Sequence, residues 1–411
     1  MATVLIAVIY AAFIGLGLPD SLFGTAWPSI YREFGLPIAF GSLESAICFL
    51  GTILSSLLSA RLIRRFGTAR LTAGCTLLTA VSLVGYGWAG SFPVMLALAV
   101  PLGLGAGSVD TALNNYVALH YSASRMSFLH CFYGIGVTVS PFILAMVFRN
   151  GMNWRAGYRA AAGIQLALAA ALFLSVPIWR KVHGGEKVSE ENFQTLTLRE
   201  AASIKGVKIM WLLFACTCAI EMSVGSWSST YLVEHLGRSQ EFAARSMTVY
   251  YLGMTAGRFF SGILARKLHS WQIVKLGLCV MGAALLLLLL TESGIVVMVA
   301  LAAIGLGNGP MFPNFNYVTP ENFGEEKSPA IIGTQMVAAN VSIVTLPVLC
   351  GICGQALGMW IFPYYLLACF AVMLIVFAAA MRTFSMPRLF GRRGTHNQEV
   401  TDGQTIESID D

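Results

Sequence analysis

Four carboxylates stand inside long apolar stretches of this 411-residue chain: Asp20, Glu44, Asp110 and Glu221. A carboxylate at the centre of a bilayer costs about 2.5 to 3.5 kcal/mol on insertion scales, so it ordinarily faces a wet cavity and serves an ion or substrate path. Every Lys and Arg can be placed in a loop, in the C-terminal tail or near a helix end. These acids therefore have no evident fixed cation at depth, and each would be neutralised by a proton or a bound Na⁺, which is the physical basis of ion coupling. Asp20, Asp110 and Glu221 form the expected ion-coupling set. Glu44 begins its apolar run, where it can reach outer water, and is left out of the site.

The neighbours of these acids give them a context. Gly15, Gly17 and Pro19 precede Asp20 and Gly24 follows it, so the helix there is expected to bend or open and to present backbone carbonyls beside the acid. Asp110 has Asn114 one turn later on the same face, with Thr111 and Asn115 on the adjoining stripe. Four polar groups in two turns line a surface suited to a hydroxylated solute. Glycines 103, 105 and 107 on the same segment can equally serve tight helix packing. His130 lies near the inner end of its segment, and Gly225 and Ser228 share the face of Glu221. Trp27 and Trp227 can stack on a substrate ring or anchor their helices at the interface. Asn314, Asn316 and Gln335 are neutral where the first half of the chain is acidic. The expected substrate-binding set is Asp110, Asn114, Asn115, His130, Trp27, Trp227, Asn316 and Gln335, with Arg65, Gly67 and Arg258 as loop or gating residues.

The elements that must hold these residues are membrane helices. Apolar residues reach 56% and charged residues only 11%, less than half the share of a soluble domain. Runs of about 20 apolar residues, the length that spans a bilayer core, number twelve, six on each side of a polar segment at 181–206. The first, at 2–30, lacks the basic start and cleavage site of a signal peptide and is read as a retained helix. Residues 103 to 117, GLGAGSVDTALNNYV, and 305 to 318, GLGNGPMFPNFNYV, match after one deletion, and basic loops at 60–67 and 262–269 repeat at the same spacing. Such duplication predicts two pseudo-symmetric six-helix bundles, 1–180 and 207–383, joined by a cytoplasmic linker at 181–206 and followed by a disordered cytoplasmic tail at 384–411. Pro310 and Pro313 are expected to break the tenth run, while Pro141 and Pro347 sit in the fifth and eleventh. Only six of the 26 Lys and Arg (Arg32, Arg149, Arg155, Arg159, Arg238, Arg245) fall outside if both termini are cytoplasmic. The net charge of +6 is that bias and does not point to nucleic acid. All nine cysteines lie in or at the ends of apolar runs, and the Cys350/Cys353 pair has no second pair or histidine nearby, so no metal or redox cofactor is expected.

Across nearly the whole chain these residues resemble the major facilitator superfamily. ARLIRRFGTAR after the second run is similar to that superfamily's G-x-L-x-D-R-x-G-R-R signature, with Arg65 and Gly67 in place but Ala60 and Arg64 departing from it. GLGAGSVDTALNNYV followed by LHCFYGIG resembles the fucose/galactose/glucose:proton symporter family, and EMSVGSWSSTYL resembles its sodium/glucose transporter-like branch. The resemblance implies a first-helix acid for proton coupling, matched by Asp20, and a fourth-helix acid for sugar binding and coupling, matched by Asp110. His130 stands where a sugar-contacting glutamine is common.

These readings lead to an expectation of a non-enzymatic, monomeric secondary transporter of the plasma (bacterial inner) membrane, importing a small polar solute such as a sugar with H⁺ or Na⁺ by alternating access. Two alternatives remain: a proton-driven exporter of drugs or metabolites, although GIGVTVSP lacks the glycine pattern of such exporters, and a transporter-like receptor. Neither HExxH nor GxSxG occurs, so an intramembrane enzyme is disfavoured.

Overall fold

The computed structural model describes residues 2–121, 123–183, 197–324 and 326–384. Within them the regular structure is helical. The first half comprises α1 (Ala2–Asp20), α2 (Leu22–Phe34), α3 (Gly41–Phe66), α4 (Thr68–Trp88), α5 (Phe92–His120), α6 (Ala123–Arg149) and α7 (Trp154–His183). After the short α8 (Leu198–Ser203), the second half comprises α9 (Val207–Glu234), α10 (Gln240–Leu264), α11 (Ser270–Leu289), α12 (Gly294–Asn308), α13 (Met311–Phe323), α14 (Ser328–Leu357) and α15 (Phe362–Thr383). Taken together as spans, α1 with α2 and α12 with α13 give the twelve-segment, two-bundle arrangement that the apolar runs predict. Eleven spans among the described residues are long and apolar enough to cross a bilayer. The twelfth segment, α10, is equally long at 25 residues but carries Glu241, Arg245 and Arg258.

The expected breaks occur where proline and glycine interrupt the backbone ladder. The first span breaks at Ser21, directly after Asp20, and the tenth breaks between Asn308 and Met311. Pro19 has no N–H to give to the carbonyl one turn back. One loosened carbonyl of this span, that of Leu18, accepts from Ser140 of α6 instead, and Ser21 in turn donates at 2.7 Å to the Val137 carbonyl of α6, which Pro141 leaves without its helical donor.

The duplication is visible atom by atom in the glycine seams. A Cβ on Gly103 would meet the backbone of Cys48 and one on Gly107 that of Thr52; a Cβ on Gly305 would meet Tyr250 and one on Gly309 would meet Met254. Each of these four residues in the first half has its counterpart 202 positions later, as 103 to 305 and 48 to 250. Gly105 against Cys75 and Thr79 repeats as Gly307 against Gly277 and Met281. The GLG motifs are therefore packing devices that bring α5 against α3 and α4, and α12 against α10 and α11.

The two halves meet chiefly through α2 with α9, α6 with α10, and α3 with α14. At one end the seam is locked: Tyr31 and Arg32 both donate to Glu234, and the Ala39 amide donates to Gln355 at 3.4 Å. Behind this lock Arg155 and Trp154 hold Glu33 at 2.6 and 2.7 Å. At the other end, α5 makes no extensive packing on α12 or α13 among the described residues. The molecule is thus locked across the seam at the Arg32/Glu234 end.

Of the linker, 184–196 lies outside the described residues, and α8 is set by a capping box in which Thr197 and Glu200 satisfy each other's backbone amides. The backbone N–H of Thr197 holds the exposed Glu200 carboxyl below the usual carboxylate range. Of the tail, only Phe384 is described, stacked on Trp271 at 5.9 Å; residues 385–411 lie outside the described set.

Candidate functional site

Asp20 ends α1 midway along the first span, and its side chain is exposed despite that depth. It lines a central cavity of about 70 Å³ whose walls include Glu44, Tyr133, Glu221 and Tyr251. The Tyr133 hydroxyl donates to Asp20 Oδ2 at 2.8 Å. Over the other side of the Tyr133 ring sits the guanidinium of Arg258, 5.9 Å from the ring centre, within the range of a cation–π contact. Arg258 in turn holds Glu221 Oε1 at 3.3 Å, both side chains being 13% exposed. Glu221, Arg258, Tyr133 and Asp20 thus form one polar chain across the seam, two residues from each half.

This chain corrects two sequence expectations. Arg258 is not at a helix end; it lies nearly two turns inside α10 and places a fixed cation beside Glu221. Glu221 is accordingly not an unpaired acid but half of an ion pair. Sequence position misplaced Arg258 because a long side chain can carry its charge far from its own Cα, and because the partner sits 37 residues away on another helix.

Asp110 and Asn114 do share a face: Asn114 Nδ2 donates to Asp110 Oδ1 at 2.8 Å and to the Asp110 carbonyl at 3.0 Å. Asp110 lies within electrostatic reach of Asp20, as does Glu221. Asn115 is exposed beside this pair. His130 lies edge-on to Phe13 at 5.9 Å and within electrostatic reach of Arg258. On α13, Asn316 Oδ1 is buried without a hydrogen-bond partner among the described residues, the kind of atom that a polar ligand can satisfy.

Other expected site residues are elsewhere occupied. Trp27 and Trp227 are each 1% exposed. Their indole N–H groups donate to the carbonyls of Ile38 and Pro347 at 2.9 and 2.8 Å. Their rings press on Gly41 and Gly351, sealing the locked end around a second cavity of about 10 Å³. They are seam plugs and not open stacking platforms. Gln335 is fully buried and donates to the Thr319 hydroxyl at 3.1 Å, within its own half. Gly67 takes φ +77° between α3 and α4, a conformation that glycine accepts without strain. Exposed Arg65 lies over Phe66 at 5.4 Å and makes no ion pair among the described residues. The corresponding loop of the second half is pinned by His269 on Glu321 at 2.9 Å.

Sequence reasoning missed Tyr133, one turn after His130 in LHCFYG, and it misjudged Glu44. Glu44 does not reach outer water: it is 3% exposed and accepts a 2.5 Å hydrogen bond from Tyr86. A carboxylate in the first turn of a membrane helix reads as interfacial unless another segment covers it, and that cover is a tertiary fact.

A family model for the Major Facilitator Superfamily matches residues 9–344 and 246–394. The chain belongs to the major facilitator superfamily. It is a secondary transporter of that type and not an enzyme. The cis,cis-muconate transport protein of Acinetobacter baylyi is 23% identical over 250 residues, 58% of this chain, and the match spans only 60% of that relative's length. Bypass of stop codon protein 6 of Saccharomyces cerevisiae is 21% identical over 385 residues, covering 85% of this chain and 77% of the yeast protein. Among solved structures, a bacterial homolog of the human lysosomal transporter Spinster, inward-facing and occupied, superposes with TM-score 0.67 at 15% identity, covering 93% and 97% of the two chains. A peptide transporter POT superposes with TM-score 0.70 at 13% identity, covering 92% and 94%. These likenesses carry the superfamily fold to this chain; the sugar-symporter branch is not among these matches.

Proposed function

We propose that this facilitator imports a small hydroxylated solute, of the sugar class, together with protons by alternating access, in the plasma membrane with both termini cytoplasmic. The observation that carries the reading is the polar chain across the seam: Asp20, exposed to the cavity, holds Tyr133, which lies against Arg258 of the other half. An ionised Asp20 strengthens that hydrogen bond and a protonated one weakens it, so proton binding bears directly on a contact that must change when the halves rock. Asp110 and Asn114 supply an acceptor and an amide for a hydroxyl pair, and the unpartnered Asn316 oxygen supplies an acceptor from the other half. On the cation bias of the loops, the end opposite the Arg32/Glu234 lock is cytoplasmic. Proteoliposomes with an imposed proton gradient test the reading: uphill uptake of a labelled hexose driven by the gradient supports it, and uptake driven only by sodium, or outward-directed pumping, overturns it.

A second reading, an organic dicarboxylate as cargo, is favoured by Arg258 in the cleft and by the likeness to a muconate transport protein. Glu221 already neutralises that arginine, which supports the hydroxylated solute over the dianion. A thermal-shift screen of sugars, polyols and dicarboxylates separates them, because a ligand that binds only the folded state raises its stability.

A further inference from the structure

Glu44 is a buried acid that the transport reading does not use. It faces the same central cavity as Asp20, from the side nearer the locked end. Among the described residues it forms no ion pair. Arg32, Arg155 and Arg159 near that end are engaged elsewhere: Arg32 with Glu234, Arg155 with Glu33 and the Ala89 carbonyl, Arg159 with the Gly87 carbonyl and the face of Trp88. The groups around it are neutral or acidic: Tyr86 on α4, Tyr158 on α7, Cys48 on its own helix, Asp20 at the end of α1, Tyr133 on α6, Glu221 on α9 and Tyr251 on α10. Glu221 is the one already holding a cation, Arg258.

A second observation points to a ligand at this place. Tyr158 stacks on Tyr86 with ring centres 5.1 Å apart, is among the residues that line the cavity and is 1% exposed, and its buried hydroxyl has no hydrogen-bond partner among the described residues. A buried hydroxyl left unmatched beside a buried carboxylate leaves a polar site incomplete. The cavity has room for a few waters, enough to join Glu44 to Asp20.

We propose that Glu44, with Tyr86 and Tyr158, is a second proton-binding site on the outer side of Asp20, loaded when the Arg32/Glu234 end opens and connected to Asp20 through water in the cavity. The step is simple: an O–H bond forms on the Glu44 carboxyl with a proton from hydronium in the outer solution, and no other bond changes. An unpaired carboxylate sealed into this space as an anion would be uncompensated, whereas the neutral acid can donate to water or to the Tyr158 oxygen. The inference rests on the proton-coupled reading for its role in transport, but the protonation itself is measured without substrate.

Infrared difference spectroscopy of the purified protein in liposomes, titrated by pH, tests it through the carbonyl stretch of protonated carboxylic acids. In an Asp20→Asn/Asp110→Asn background a band that disappears on alkalinisation should remain, and adding Glu44→Gln should remove it. An unchanged band with Glu44→Gln overturns the assignment, as does a band displaced by sodium at fixed pH. Tyr86→Phe, with Glu44 intact, removes the donor that favours the ionised form, so the midpoint should move to higher pH; no movement overturns the proposal even if Glu44→Gln does not fold. Loss of gradient-driven uptake in Asp20→Asn with the Glu44 band intact keeps the two readings distinct.

Discussion

At the scale of single residues, the site is governed by who neutralises whom. Glu221 and Arg258 are both largely buried, and deleting one partner of such a pair leaves an uncompensated charge, at a cost of about 3 to 5 kcal/mol. Arg258→Ala and Glu221→Gln should each lower the unfolding temperature markedly. The double variant should recover much of the loss, and a double variant as unstable as the sum of the singles would contradict the pairing. Among the described residues Asp20 has a hydroxyl and no cation as its hydrogen-bond partner. Asp20→Asn should therefore abolish uphill uptake while leaving substrate exchange measurable; full accumulation by this variant would remove Asp20 from the coupling step. Asp110 and Asn114 hold one another, so losing either also disorders the other. Removing one hydrogen-bonding partner costs about 1 to 3 kcal/mol, and the dissociation constant should rise roughly tenfold or more in Asp110→Ala and Asn114→Ala. Unchanged binding in both would make the pair a helix-packing feature.

At the scale of elements, the repeated glycines fix how closely the helices approach. A Cβ on Gly103 would lie 3.1 Å from the Cys48 Cα and closer still to its carbonyl, whereas a Cβ on Gly74, in α4, meets nothing within 4 Å. Overpacking of this kind typically costs about 1 to 3 kcal/mol. Gly103→Ala and its counterpart Gly305→Ala should thus destabilise the protein, while Gly74→Ala should be neutral or slightly stabilising. Equal effects at Gly74 and Gly103, measured as unfolding in detergent, would refute the seam. The same comparison explains why the motif is legible as a repeat: a close backbone approach tolerates only glycine, so both halves preserve it at one spacing. The carboxylate chemistry, by contrast, is not repeated. Ser246 stands 202 positions after Glu44, and Ser56 stands 202 before Arg258.

At the scale of the whole molecule, the closed end is held by contacts across the seam that must part together, among them Tyr31 and Arg32 on Glu234, Ala39 on Gln355, and Gly24 against Gly225 and Ser226. A Cβ on Gly24 would lie 2.9 Å from the Ser226 Cα, so a bulky residue there fits only when this end is open. Gly24→Leu should shift the population toward the opposite state. In a background without native cysteines, a thiol reagent applied from the Arg32/Glu234 side should then label Ser45→Cys faster, and reagent from the other side should label Asn316→Cys more slowly. If both rates rise or fall together, the halves do not alternate.

The sequence by itself determined the membrane class, the twelve spans, the two-fold duplication and the breaks beside Asp20 and Pro310, because hydropathy, glycine spacing and proline act locally along the chain. It also singled out Asp20, Asp110 and Asn114, since an acid in an apolar run is conspicuous and a one-turn spacing sets the face. Tertiary structure alone decided which acids are paired and which faces are covered. Arg258 reaches Glu221 and Tyr133 from other helices, Glu44 is roofed by Tyr86 and Tyr158, and Trp27, Trp227 and Gln335 turn inward to packing partners. Those contacts join residues far apart in the chain, and charge compensation and burial depend on distance in space, which no local pattern encodes.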